Sequence, residues 1–205
     1  MSVIGALHSR LGQEPRRRAL APALAALLPV QARVLDLGCG DGTLANQVVA
    51  TRADVRMIGA DTLTPAGCAI PVVRYDGGRL PFETGTFDVV LLVDVVHHST
   101  HPLDVLAEAG RVARMAVVIK DHLADRVGAR PVLRLMDWVG NARHGVALPY
   151  NYWTTREWRR AFDQLGWTVT MWRERLKLYP SLLAPFFEAG LHFLAVLRPA
   201  PPAGL

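Results

Sequence analysis

Arg33-Val34-Leu35-Asp36-Leu37-Gly38-Cys39-Gly40-Asp41-Gly42-Thr43-Leu44-Ala45 is the stretch that decides how this chain folds. A short apolar run reads as a buried strand and meets three alternate glycines, Gly38, Gly40 and Gly42. A helix is expected at once, over residues 41–50. Glycine permits a tight turn and lets a ligand lie against bare backbone. The start of the helix then offers free N–H groups and the positive end of its dipole. In an open α/β sheet this junction is where nucleotides bind. The dinucleotide pattern G-x-G-x-x-G is not met, because Thr43 stands where its third glycine belongs.

Upstream, Leu20, Leu24, Leu27 and Leu28 recur at helical spacing, so residues 14–28 read as an amphipathic helix ended by Pro29. Downstream, strands are expected over residues 55–60, 70–75, 87–93 and 115–119, with a helix over 102–113. The run 87–93 is continuously apolar and β-branched, the mark of a strand buried on both faces. This alternation predicts a parallel sheet with helices on both faces. The final third differs. Residues 124–138 read as a helix, 140–153 as an aromatic, glycine-bearing loop, and Thr154 or Thr155 as the cap of a helix ending at Gly166. Residues 167–172 and 192–197 read as two closing strands.

At 205 residues, 51% hydrophobic and 20% charged, the chain suits one globular unit over 1–205. Within it, residues 14–121 are expected to form a cofactor-binding core and 122–190 the acceptor-pocket elements and the completion of the sheet. The net charge of +5 is scattered, apart from Arg16, Arg17 and Arg18, which read as a solvated helix face. Cys39 and Cys68 are too few for a zinc site or a disulfide framework, so no metal is expected and a reduced, cytoplasmic setting fits. No apolar run is long enough to span a membrane.

Further landmarks follow the glycine loop in order. Asp61 ends the second strand; a carboxylate there can take both ribose hydroxyls. Asp76-Gly77 ends the third and precedes Leu80-Pro81-Phe82, and then comes Phe87-Asp88-Val89-Val90. This run, with its G-x-G-x-G loop and Asp36, resembles the class I S-adenosylmethionine-dependent methyltransferases over residues 32–121. The resemblance implies a Rossmann-like seven-stranded sheet of order 3-2-1-4-5-7-6, strand 7 antiparallel. It implies S-adenosylmethionine as cofactor, held by Asp36, Gly38, Gly40, Asp61, Asp76, Gly77 and Val93. Asp36 and the Gly38 carbonyl would meet the ammonium, Asp61 the ribose, Asp76 the adenine amino group and the Gly77 N–H its ring. Asp88 would be structural.

Val93-Asp94-Val95-Val96-His97-His98 follows the fourth strand, on the rim that would face the methyl group. Many small-molecule methyltransferases carry a His-His pair here, and in some one of the pair is a base. The catalytic expectation is His98, oriented by Asp121 at the end of the fifth strand. Asp94 is expected to be structural or cofactor-lining. The acceptor pocket is expected from Asp137, Trp138, Asn141, His144, Tyr150, Asn151, Tyr152 and Trp153, with Lys177, Tyr179, Phe186 and Phe187 approaching it. The expected reaction is methyl transfer to a hydroxyl or amine of a small, apolar or aromatic metabolite such as a lipid, quinone or polyketide-like compound. The alternatives are RNA or protein methylation, and a non-catalytic cofactor-binding partner subunit. The Asn-Pro-Pro-Tyr type of signature found in many nucleic-acid methylases is missing, which argues against nucleic acid. Peripheral membrane association and the oligomeric state stay open.

Overall fold

The computed structural model describes residues 14–63, 65, 67–141, 148–179, 181–182, 184–188 and 190–200. Helix α1 (Glu14–Ala25) leads into β1 (Arg33–Leu37), then α2 (Thr43–Thr51), β2 (Arg56–Asp61) and β3 (Val72–Arg74). Next come β4 (Phe87–Val93), a 3₁₀ turn (Val96–His98), α3 (Pro102–Val112) and β5 (Ala113–His122). The chain closes with α4 (Ala129–Asn141), α5 (Thr155–Gln164), β6 (Thr168–Arg173), α6 (Ala184–Phe187) and β7 (His192–Arg198).

The seven strands form one sheet of order β3-β2-β1-β4-β5-β7-β6, as the sequence led us to expect. β1 to β5 run parallel, and β7 lies antiparallel between β5 and β6. Register aligns the strand ends that matter: Leu37 sits beside Ala60 and Leu92, and Val93 beside Lys120. Gly38, Asp61, Asp94 and Asp121 therefore emerge on one rim.

Alternation along the strands divides the core. Leu35, Val90, Val117 and Ile119 pack on one face with Leu106, Trp158, Phe162 and Phe193. Val34, Val89, Leu91 and Val118 pack on the other with Leu24, Leu28, Val48 and Val55. Each such apolar side chain contributes about 1.5–3 kcal/mol on burial. Asp88 keeps a structural place: its carboxylate accepts the Arg33 N–H at 2.8 Å and pairs with Arg114.

The last third shows where side-chain pattern and structure part. α4 begins at Ala129, not at 124, because residues 124–128 are spent on tertiary bonds. The Ala124 N–H donates to the Trp153 carbonyl at 3.0 Å, and Asp125 accepts the Thr155 N–H at 2.8 Å. β5 runs three residues further than its apolar stretch, since Lys120, Asp121 and His122 pair with Leu194, Phe193 and His192 of β7. Thr154 does cap α5. Its hydroxyl accepts the Glu157 N–H, while Glu157 accepts the Thr154 N–H at 2.7 Å. Among the described residues no helix is long and apolar enough to cross a membrane.

Candidate active site

A cavity of about 210 Å³ opens on the rim, lined by Arg16, Arg17, Asp36, Gly38, Gly40, Asp41, Val93 and Asp94 among others. The glycine loop shapes its floor. Gly38 has φ +78°, and a Cβ there would lie 2.5 Å from a Val95 methyl, so the loop passes tightly under the β4 exit. At Gly40 a Cβ would meet nothing within 4 Å, leaving backbone bare to whatever fills the cavity. Asp61 accepts the Gly40 N–H at 2.7 Å and so ties the β2 exit to the loop. Asp36 is buried at the base. Burial and the charge of Asp61 push its carboxyl up to about 7, so a cation docked there would restore its charged form. Asp61, at the end of β2, and Asp76 and Gly77, after β3, are not among the residues lining this cavity; Asp76 accepts the Gly78 N–H at 2.9 Å.

Arg16 and Arg17 depart from the solvated face expected of them. Arg18 is exposed and pairs with Glu14 at 2.9 Å, but α1 turns the other two toward the cavity. Arg16 pairs with Asp94, and the Lys120 ammonium donates to the same carboxylate at 2.5 Å. Lys120 is fully buried. Burial and the neighbouring guanidinium outweigh Asp94 and bring it down to about 8. Asp94 is held well below the carboxylate range: burial opposes its charge, and the two cations more than offset that. Two cations thus share one carboxylate beside the cavity. Among the described residues the Nε atoms of Arg16 and Arg17 make no hydrogen bond.

The expected pairing of His98 with Asp121 is corrected. Asp121 holds His97, with Nδ1 to Oδ1 at 2.6 Å, and accepts the Val96 N–H at 3.1 Å. The cause is the 3₁₀ turn. At three residues per turn, adjacent side chains diverge by about 120°. His97 points into the core and is 1% exposed, while His98 stays half-buried on the rim. His97 Nε2 faces Asp137 Oδ2 at 3.4 Å. Burial disfavours a charged ring there, yet Asp121 and Asp137 together raise its pKa to about 10. Burial and the charge of His97 lower that of His98.

Part of the anticipated acceptor pocket gathers around this pair. The Tyr152 hydroxyl donates to Asp137. Asn151 donates its N–H to the His97 carbonyl at 3.2 Å and its side-chain amide to the Ser99 carbonyl at 2.6 Å. Trp153 packs on Trp158 instead, with centroids 4.8 Å apart, and Trp138 is exposed. His144 and the side chain of Asn141 lie outside the described residues. Lys177 and Tyr179 donate their backbone N–H groups to Glu188, Tyr179 stacks on His192, and Phe186 is exposed. Lys120, His122 and His192 carry no role in the sequence reading. His122 and His192 meet Nδ1 to Nδ1 at 3.1 Å, and burial among cations holds both well below the usual imidazole value. The triplet Lys120-Asp121-His122 closing an apolar strand was the available signal, since charge at a buried strand end needs partners.

A nucleotide-type loop with a carboxylate at its base, on a sheet of this order, is the architecture of a methyltransferase domain. The chain belongs to the methyltransferase domain family, whose model matches residues 12–171. It is 34% identical over 94 residues to a ubiquinone/menaquinone biosynthesis C-methyltransferase of Nitrosospira multiformis, covering 40% of this chain and 38% of that one. It is 33% identical over 114 residues to a 27-O-demethylrifamycin SV methyltransferase of Amycolatopsis mediterranei, covering 46% and 40%. In both, less than half of the relative's length is matched. The fold matches a Burkholderia thailandensis 1,6-didemethyltoxoflavin-N1-methyltransferase with bound 1,6-didemethyltoxoflavin and S-adenosylhomocysteine. That TM-score is 0.64 at 20% identity, over 92% of this chain and 79% of the other.

Proposed function

We propose that this protein transfers a methyl group from S-adenosylmethionine to a small-molecule acceptor bound over the His97–His98 turn. The observation that carries this reading is the charge layout of the cavity: it is lined by a buried carboxylate, Asp36, and by two arginines whose Nε atoms make no hydrogen bond among the described residues, Arg17 lying within ion-pair distance of Glu14 and Asp41. An amino-acid end with one ammonium and one carboxylate matches that pair. Asp36 and the Gly38 carbonyl would take the ammonium, Arg16 and Arg17 the carboxylate, and Asp61 the ribose hydroxyls. Asp76 and Gly77 would meet the adenine, and Val93 would line the path to the sulfur.

When bound, the cofactor supplies an electrophilic methyl on a sulfonium, which is already a good leaving group. The protein therefore works mainly by alignment, which can supply about 7–11 kcal/mol. Asn151 braces the His97–His98 turn, and Asp121 fixes the His97 ring. A hydroxyl or amine held there would be aimed at the cavity and would lose its proton beside His98. The relatives methylate at carbon, oxygen or nitrogen by their names, so the aromatic and polar setting of Tyr150, Asn151 and Tyr152 is what favours a small, apolar or aromatic acceptor here. Two cysteines without a disulfide framework suit a reduced, cytoplasmic setting.

Incubating the protein with isotopically labelled S-adenosylmethionine and a metabolite extract should place label in an organic-soluble small molecule. Label appearing in RNA or protein, with none in the small-molecule fraction, would overturn the acceptor class.

A further inference from the structure

We infer that His97, His98 and Asp137 form a binding site for one divalent transition-metal ion, set beside the methyl-transfer cavity. One ligand atom from each of the three lies within 4.8 Å of the others. Two nitrogens in this group are buried and make no hydrogen bond among the described residues: His97 Nε2 and His98 Nδ1. His98 Nδ1 has no partner among the described residues, at a cost of about 1–3 kcal/mol, and His97 Nε2 is met there only by the Asp137 carboxylate. His97 Nε2 and Asp137 Oδ2 are 3.4 Å apart. Ligands about 2.1 Å from a tetrahedral ion stand about 3.4 Å from each other.

The surroundings are also those of a metal site. Asp121 binds His97 Nδ1 at 2.6 Å, the carboxylate behind a ligating histidine that fixes its tautomer and raises its basicity. Tyr152 donates to the Asp137 carboxylate, steadying the oxygen ligand in the same way. Two imidazoles and one carboxylate select a borderline ion such as Zn²⁺, Co²⁺ or Fe²⁺ over Mg²⁺, and leave coordination positions open. His98 is half-buried, so a hydroxyl acceptor could reach an ion held there, which would polarise it and ease release of its proton. That last role rests on the proposed methyl transfer; the ion site itself does not. Sequence spacing could not reveal it, because the ligands come from the β4 exit and from α4, and only two are neighbours in the chain.

The full chain, stripped with a chelator and titrated with Co²⁺, tests this. The expected result is one Co²⁺ per chain with weak visible bands of nitrogen and oxygen ligation, displaced by Zn²⁺ and not by excess Mg²⁺. His98→Gln, whose site is half-buried, should abolish the bands while circular dichroism stays native. Asp121→Asn should weaken binding about 10- to 100-fold. Cys39→Ser and Cys68→Ser should bind normally. Absence of binding, a near-ultraviolet thiolate band, or unchanged binding by His98→Gln would overturn the assignment. Calorimetry of S-adenosylmethionine on the stripped protein reads cofactor binding separately, so loss of one claim does not disguise loss of the other.

Discussion

Asp94→Asn is expected to destabilise the fold by about 3–5 kcal/mol, the usual cost of removing one partner from a buried ion pair. The side chain of Asp94 is mostly buried, and among the described residues it is the carboxylate that pairs directly with both the Arg16 guanidinium and the fully buried Lys120 ammonium. Asparagine keeps the shape and tolerates the φ of +57° at this position, so the change isolates charge. The pH dependence follows from the same pair. The folded carboxyl lies well below its unfolded value of about 3.9. Its stabilisation is therefore fully present above that value and is lost as pH falls toward the folded pKa. The variant should lack this contribution on the acid limb. Urea unfolding followed by circular dichroism measures both. Adding Lys120→Met should recover part of the loss. A cost below about 1 kcal/mol would place the pair among weak surface contacts.

His98→Ala is expected to slow methyl transfer to a hydroxyl acceptor by about 10²–10⁴-fold, with cofactor affinity nearly unchanged. The reason is position. His98 follows the β4 exit and is not among the residues lining the glycine-loop cavity, and Asn151 braces its turn through the Ser99 carbonyl. His97 is the poorer choice for a rate experiment. It sits between Asp121 and Asp137 with 1% of its surface exposed, so its removal takes the shared cation from two buried carboxylates. Single-turnover rates with saturating cofactor separate the step from binding. Near-normal rates for His98→Ala would leave alignment as the whole of the mechanism.

What could be read from the chain alone was whatever local pattern controls. The run Phe87–Val93 is apolar at every position but Asp88, and it is β4 with the same bounds. The alternate glycines mark the β1–α2 turn, and Thr154 with Glu157 marks the start of α5. The sheet order came from resemblance over residues 32–121, and β7 and β6 completed it.

The rest depends on which distant segments meet. Arg16 looks like any arginine on a helix until α1 lies across the β4 exit and brings Asp94 to it, 78 residues away. His97 and His98 are equal in a sequence string, and only the hand of the 3₁₀ turn decides which one Asp121 reaches. Lys120 looks like the polar end of a strand, and the antiparallel insertion of β7 is what buries it. Long-range electrostatics was thus invisible where local periodicity was plain.

The glycine-loop cavity is proposed to hold S-adenosylmethionine, with Asp61 on the ribose. Calorimetric titration of wild type and Asp61→Ala tests it most directly. Wild type should bind S-adenosylmethionine and its demethylated product and give no heat with NAD. Asp61→Ala should lose charge-assisted hydrogen bonds of about 1.5–3 kcal/mol, a fall in affinity of roughly 10- to 150-fold with the fold intact. Tight binding of NAD with no response to S-adenosylmethionine, or an unchanged dissociation constant in Asp61→Ala, would contradict it.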